Sequence, residues 1–177
     1  MPDWLHLDAL AIAVLALVTA QRLAELAYAR FNEKRLKQIG GVEHGASHYP
    51  LIVALHTAWL AGLWLLAHGV HPHYGWLAVF LLLQATRGWV LLTLGARWTT
   101  RVIVLPEAPP IRSGPYRFLS HPNYAVVAAE IFVLPMAFGL VAFALIFSLA
   151  NAAVLAVRIR AENEALRGAH PILDGTN

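Results

Sequence analysis

The 177-residue chain contains no cysteine, so disulfides, a thiolate nucleophile and Cys-ligated zinc or iron–sulfur centres are excluded by composition. Charge is also scarce: Asp, Glu, Lys and Arg together make up 13% of the residues against 59% hydrophobic ones, far from the usage of a soluble globular domain. No Gly-x-Gly-x-x-Gly fingerprint occurs, which leaves the usual soluble nucleotide-binding α/β fold without support. No His-Glu-x-x-His spacing occurs either. Neither the group His44, His48, His56 nor the group His68, His71, His73 is therefore read as a metal site. The net charge of +3 sits in short basic clusters beside apolar runs, a pattern of membrane orientation and not of nucleic-acid binding.

What fills the chain instead is apolar sequence. A hydrocarbon layer about 30 Å thick needs roughly 20 apolar helical residues, and five stretches approach this: Leu5 to Ala29, Pro50 to His68, Tyr74 to Gly95, Asn123 to Phe138 and Leu140 to Val157. The first lacks a basic flank before it and is long enough to span, so it reads as a mature helix and not a signal peptide. The last two are separated only near Gly139 and predict a helical hairpin, with Pro135 kinking or ending its first arm. The expected fold is all-α, a polytopic transmembrane bundle of about five spans in one domain over residues 1–177.

Lys and Arg stay in cytoplasmic loops while short translocated loops shed them. Arg30, Lys34, Arg35 and Lys37 follow the first span; Arg97, Arg101, Arg112 and Arg117 fill the third connection; Arg158, Arg160 and Arg167 follow the fifth. The connections at Met1 to Leu5, Gly69 to His73 and Gly139 carry none. The N-terminus is expected outside and the C-terminus in the cytoplasm. Arg22 and Arg87 remain within spans, where an ionised group is costly unless paired. Glu25 lies on the same helical face as Arg22, and Glu130 is the candidate partner for Arg87.

The connection from Ala96 to Pro122 is too rich in Pro and Gly for a continuous helix, and long ordered loops usually carry function. Arg101 to Leu105 within it could be a short extended segment. It ends in Arg112-Ser-Gly-Pro-Tyr-Arg-Phe-Leu-Ser-His-Pro-Asn-Tyr124, which places donors, acceptors and aromatic rings at a helix N-terminus suited to an anionic group. The plainer reading, an interfacial belt of Tyr and Arg anchoring a helix end, stays open. After the fifth span, Arg158 and Glu162 share one helical face. Ordinary solvated charge explains that pair equally well. The shared cytoplasmic side of the two segments is what would let them wall one pocket.

These two segments resemble the motif of the isoprenylcysteine carboxyl methyltransferase family of integral membrane enzymes. Gly114, Tyr116, His121, Pro122, Tyr124, Arg158 and Glu162 fall on its pattern, while Ser120 stands where the family usually has arginine and Asn163 replaces a second glutamate. The first half more loosely resembles a bacterial branch linked with methylation of alkylpyrones or alkylresorcinols, through Gln21-Arg22-Leu-Ala-Glu25, Asn32, Gly41 to Pro50, His56 and Trp98-Thr-Thr-Arg101. The resemblance implies S-adenosylmethionine as cofactor, held by Gly114, Tyr116, Arg117, His121, Pro122, Asn123, Tyr124, Glu162 and Asn163. It also implies a lipophilic acceptor, with Arg22, Glu25, Trp98 and Arg101 on the acceptor side. Residues 1–95 would then serve the acceptor and 96–177 the cofactor, in a bacterial cytoplasmic membrane.

Transfer from a sulfonium needs mainly positioning and exclusion of water. For a carboxylate acceptor Arg158 is the expected holder, with Arg101 or Arg22 in reserve. For a phenol or enol, Glu43 or His48 is the candidate base, if either reaches the site. A small transporter and a structural or assembly subunit are the competing classes. Against the transporter stands the lack of an inverted repeat or a midplane-broken helix pair.

Overall fold

A computed structural model describes residues 8–106 and 108–169. Five helices account for most of them: α1 Ala9–Gln38, α2 Tyr49–Ala67, α3 Tyr74–Leu94, α4 Pro122–Ala137 and α5 Val141–Ala169. Two three-residue strands, β1 Val42–His44 and β2 Val102–Val104, pair antiparallel with Glu43 opposite Ile103. The fold is thus an all-α polytopic bundle, with a small sheet as its only extended element among the described residues. The expected start of the first span at Leu5 lies outside those residues.

Four of the helices are long and apolar enough to cross a membrane, and α4 is a shorter apolar helix. At 1.5 Å per residue, the 16 residues of α4 rise only about 24 Å. Burial among its neighbours explains how so short a helix holds its place. Glu130, Ile131, Val133, Leu134 and Pro135 are all buried, and α4 lies against both α3 and α5. Pro122 occupies its first turn, where no backbone N–H is needed. Pro135 lies in its last turn, and Gly139 makes the reversal into α5 in a left-handed conformation, φ +71°. The expected hairpin is present.

The core gathers Leu15, Trp59, Leu63, Phe80, Ile131, Leu134 and Phe138 from α1 to α4, with Phe143 and Phe147 of α5 packed against it. Large apolar side chains also point outward, such as Leu65 at 75% and Leu92 at 84% exposure. That is the arrangement a hydrocarbon solvent permits and water penalises.

The two ends of the bundle differ. At one end, Asp8 caps α1 by accepting from the Ala11 N–H at 2.8 Å and bonds His71 at 2.7 Å. There the His73 N–H donates to the Ala137 carbonyl at 2.7 Å. At the other end α1 and α5 run on as polar helices past their apolar stretches, and the sheet and the 95–121 connection fold between them.

Candidate methyl-transfer site

Two polar clusters lie inside this bundle, at different heights. The deeper one joins α1, α3 and α4. Arg22 contacts Glu25 at 3.0 Å and Glu130 at 2.6 Å, while Arg87 contacts the same two carboxylates at 2.5 and 3.1 Å. Gln21 donates to Glu25 at 2.9 Å and to Gln84 at 2.8 Å, and Gln84 donates to Glu130 at 2.8 Å. Both pairings expected from the sequence are present, but each arginine serves both acids. Charge is balanced inside the cluster, which is what low dielectric requires of buried ions.

The second cluster lies at the end that carries the sheet. The Pro-rich connection makes a short helical turn at Gly114–Arg117, then enters α4 at His121-Pro122. Gly114 is needed there twice over: its φ is +55°, and a Cβ would lie 2.5 Å from the Thr93 hydroxyl of α3. That close approach docks the turn on α3 and sets Tyr116 and His121 opposite the polar stretch of α5.

Tyr124 is the hinge of the arrangement. Its hydroxyl donates to the Glu162 carboxylate in a short bond and accepts from the Arg158 Nε–H at 2.8 Å. Arg158 also donates to the Thr100 carbonyl at 2.7 Å, so α5 is pinned to the connection as well as to α4. Arg158 and Glu162 share a face as expected, yet they meet through the Tyr124 hydroxyl. His121 stacks on the Tyr124 ring, centroids 5.4 Å apart, bonds Asn163 through Nε2 at 3.1 Å, and has Nδ1 3.8 Å from Glu162. Burial, with the Glu162 charge adding to it, pushes the Tyr116 hydroxyl well above its usual range.

Over this cluster lies a cavity of about 190 Å³. Tyr116, His121, Asn123, Tyr124, Arg158 and Glu162 line it on the α4 and α5 side; Leu36, Leu94, Trp98 and Arg101 line it from α1, α3 and the connection. Of the residues implied to hold the cofactor, Tyr116, His121, Asn123, Tyr124 and Glu162 face one space. Asn163 supports His121 from behind. Gly114 and Pro122 shape the backbone, and Arg117 is exposed and does not line the cavity.

The acceptor-side residues divide. Trp98 and Arg101 line the cavity, whereas Arg22 and Glu25 belong to the deeper cluster. Glu43 and His48 do not line it. Glu43 is bound to Lys37 at 2.6 Å and to Arg101 in a shorter contact, and Arg101 also reaches Glu33 at 3.3 Å and sits over the Tyr49 ring at 4.2 Å. Burial alone would raise the Glu43 carboxyl, but the hydrogen bonds and charges of Lys37 and Arg101 overcome it and hold the group below its ordinary range. It is an ion-pair partner of the small sheet. Thr100, quoted from the sequence only within Trp98-Thr-Thr-Arg101, holds Arg158 through its backbone carbonyl, a role that no side-chain pattern announces.

Apolar spans gathered as a bundle, with a cavity at one end between the connection and the tail of α5, define an integral membrane protein. The model of the isoprenylcysteine carboxyl methyltransferase (ICMT) family matches residues 76–168, and the chain belongs to that family. It is a membrane methyltransferase in the general sense that the family defines. Similar proteins include the uncharacterized protein YpbQ of Bacillus subtilis (strain 168), 41% identical over 159 residues, covering 87% of this chain and 95% of the relative. An uncharacterized protein of Haemophilus influenzae is 26% identical over 167 residues, covering 88% and 94%. No solved structure matches the chain.

Proposed function

We infer that this protein transfers a methyl group from S-adenosylmethionine to a hydroxyl oxygen, phenolic or enolic, of a lipophilic acceptor at the cytoplasmic face of a bacterial membrane. The observation that carries the reading is the convergence of Tyr124, Arg158 and Glu162 on one hydroxyl beneath a cavity, from two elements distant in sequence. The residues present suit the cofactor. Asn123 lines the cavity with its Oδ1 buried and unpartnered, an acceptor left for a ligand donor, and Glu162 supplies the anionic charge a cationic cofactor needs. When bound, the cofactor supplies an electrophilic methyl carried on sulfur.

The rest falls to the chain. An acceptor hydroxyl that took the methyl would have to give up its proton. His121 is the imidazole that lines the cavity, and its Nδ1 can take that proton with Glu162 3.8 Å away to stabilise the resulting cation. None of the three arginines expected to hold a carboxylate acceptor is open to it, and Arg97, which also lines the cavity, bonds the Pro109 carbonyl; a hydroxyl acceptor needs no such holder. Arg101 is already paired with Glu33 and Glu43, Arg158 is committed to Tyr124 and Thr100, and Arg22 lies in the closed deeper cluster. The basic ends of the helices support a chamber on the cytoplasmic side, where a head at the interface and a tail among the helices would suit an amphiphile.

The test is titration of the detergent-solubilised protein with S-adenosylmethionine. Saturating cofactor raises the unfolding temperature, with stabilisation growing as the logarithm of concentration above Kd. Tyr124→Phe, which deletes the one hydroxyl joining Arg158 to Glu162, weakens affinity about 10- to 100-fold, the range for a hydrogen bond to charged groups. Absence of stabilisation of the unaltered protein at millimolar cofactor would end the reading.

A further inference from the structure

Helix α1 is longer than a membrane is thick. Its 30 residues rise about 45 Å, against a hydrocarbon layer about 30 Å deep. Its start is fixed at the end of the bundle away from the sheet, where Asp8 caps it and bonds the exposed His71. Arg30 therefore lies about 32 Å along the helix, at the depth of lipid phosphates, and Lys34 and Arg35 follow about a turn further out. From there α1 has two faces. Ala29, Asn32 and Leu36 are buried, Asn32 donating to the Gly95 and Trp98 carbonyls and Leu36 lining the cavity. The opposite face exposes Arg30, Phe31, Lys34 and Arg35, with Phe31 67% exposed. No acid interrupts it. Glu33, the acid of these turns, is directed to Lys37 at 3.0 Å and to Arg101 at 3.3 Å. Among the described residues none of Arg30, Lys34 and Arg35 meets a carboxylate. Arg30 and Lys34, four apart, carry like charges on one helix face, an arrangement that destabilises a helix until an anion relieves it. The tail of α5 differs, for its exposed Glu164 stands between the exposed Arg160 and Arg167.

We propose that the outward face of the α1 tail is a binding site for anionic phospholipid, with Arg30, Lys34 and Arg35 holding the headgroup phosphate and Phe31 lying against the upper acyl chain. Depth is what assigns the face to a lipid and not to a soluble anion. The face begins where the apolar run ends, and the exposed Leu23 and Ala27 continue it into the hydrocarbon. A phenyl ring between cations at that height matches an amphipathic surface at the acyl boundary. The long basic side chains can lay their stems on the apolar surface and keep their charged ends among the phosphates. Each cation near an anionic surface is worth about fivefold in affinity at low salt, so the three together distinguish an anionic headgroup from a zwitterionic one.

The experiment is native mass spectrometry of the detergent-solubilised full chain, titrated with dioleoylphosphatidylglycerol or dioleoylphosphatidylcholine and read at the first bound lipid. The phosphatidylglycerol is expected to bind at least tenfold more tightly, and by linkage to raise the unfolding temperature in detergent where phosphatidylcholine does not. Arg30→Gln, Lys34→Gln and Arg35→Gln combined bring the two lipids to within about twofold of each other, since this removes the charges that separate them. Arg30→Lys with Arg35→Lys keeps the preference, and so does Arg160→Gln with Arg167→Gln on α5. Equal affinity of the unaltered chain for both lipids overturns the proposal. So does a loss in the α5 variant as large as in the α1 variant, which would make the preference a property of general surface charge. Glycerol 3-phosphate, a phosphate head without acyl chains, is expected to give no adduct at the same concentrations. Binding as tight as that of phosphatidylglycerol would give the face to a soluble phosphate and end the lipid assignment.

Discussion

At the scale of single residues, Glu43 shows how the right residue type can be given the wrong task. As a carboxylate in a polar segment near the bilayer surface it is a reasonable base, but a base must reach the proton it removes. Its oxygens are instead taken by Lys37 and Arg101. Because its folded carboxyl is depressed below 4.5, the stability it contributes is fully present above that value and is lost as pH falls through the lower folded value. Glu43→Gln is expected to lower the unfolding temperature at neutral pH and to become indistinguishable from the unaltered protein once both are acidified below that range. A gap that persists in acid would show that the carboxylate charge is not what the sheet uses. Cofactor affinity should change little in this variant, since Glu43 does not line the cavity.

At the scale of elements, legibility followed the range of the interaction. The α4–α5 hairpin and the polar tail of α5 were readable because apolar runs, Gly139 and the charge switch at Arg158 are local signals. Tyr116, His121, Tyr124 and Glu162 were readable as members of a motif that the family shares. Strand β1 was not, for Val42–His44 is three residues long and acquires its conformation from pairing with β2, a contact some 60 residues away in sequence. The deeper cluster was half readable. Arg22 with Glu25 is a same-face pair, but the sharing of each arginine between Glu25 and Glu130 depends on how three helices meet.

That sharing carries an energetic consequence. Arg87→Leu removes one of two cations from a site where Glu130 is 1% exposed and leaves carboxylates uncompensated. The expected loss is about 3–5 kcal/mol, the range for breaking a buried ion pair by removing one partner. Replacing Arg22, Glu25, Arg87 and Glu130 together by leucine removes the unmet charge along with the pairs and should cost less than the single change. Unfolding in mixed micelles of rising dodecyl sulfate fraction measures both. Equal losses in the two variants would contradict the cluster as a closed unit of charge.

At the scale of the whole molecule, the two ends of the bundle differ in charge. The end holding the cavity gathers Arg97, Arg101, Arg112, Arg117, Arg158 and Arg160, while the loops at 69–73 and 138–140 have neither Lys nor Arg. On the proposed function, the positive-inside rule predicts that the chamber faces the cytoplasm. The lack of cysteine makes this directly testable, because any single cysteine introduced is the only thiol in the chain. Arg117 is exposed on the cavity end and Gly139 is exposed on the other. A thiol at Arg117→Cys should resist a membrane-impermeant maleimide in intact cells and react after lysis. One at Tyr74→Cys, 68% exposed at the start of α3, should react in intact cells once the outer barrier is permeabilised. The reverse pattern would place the chamber outside, away from its cofactor, and would leave a correctly folded bundle with no supply of the methyl donor on the side where its polar residues converge.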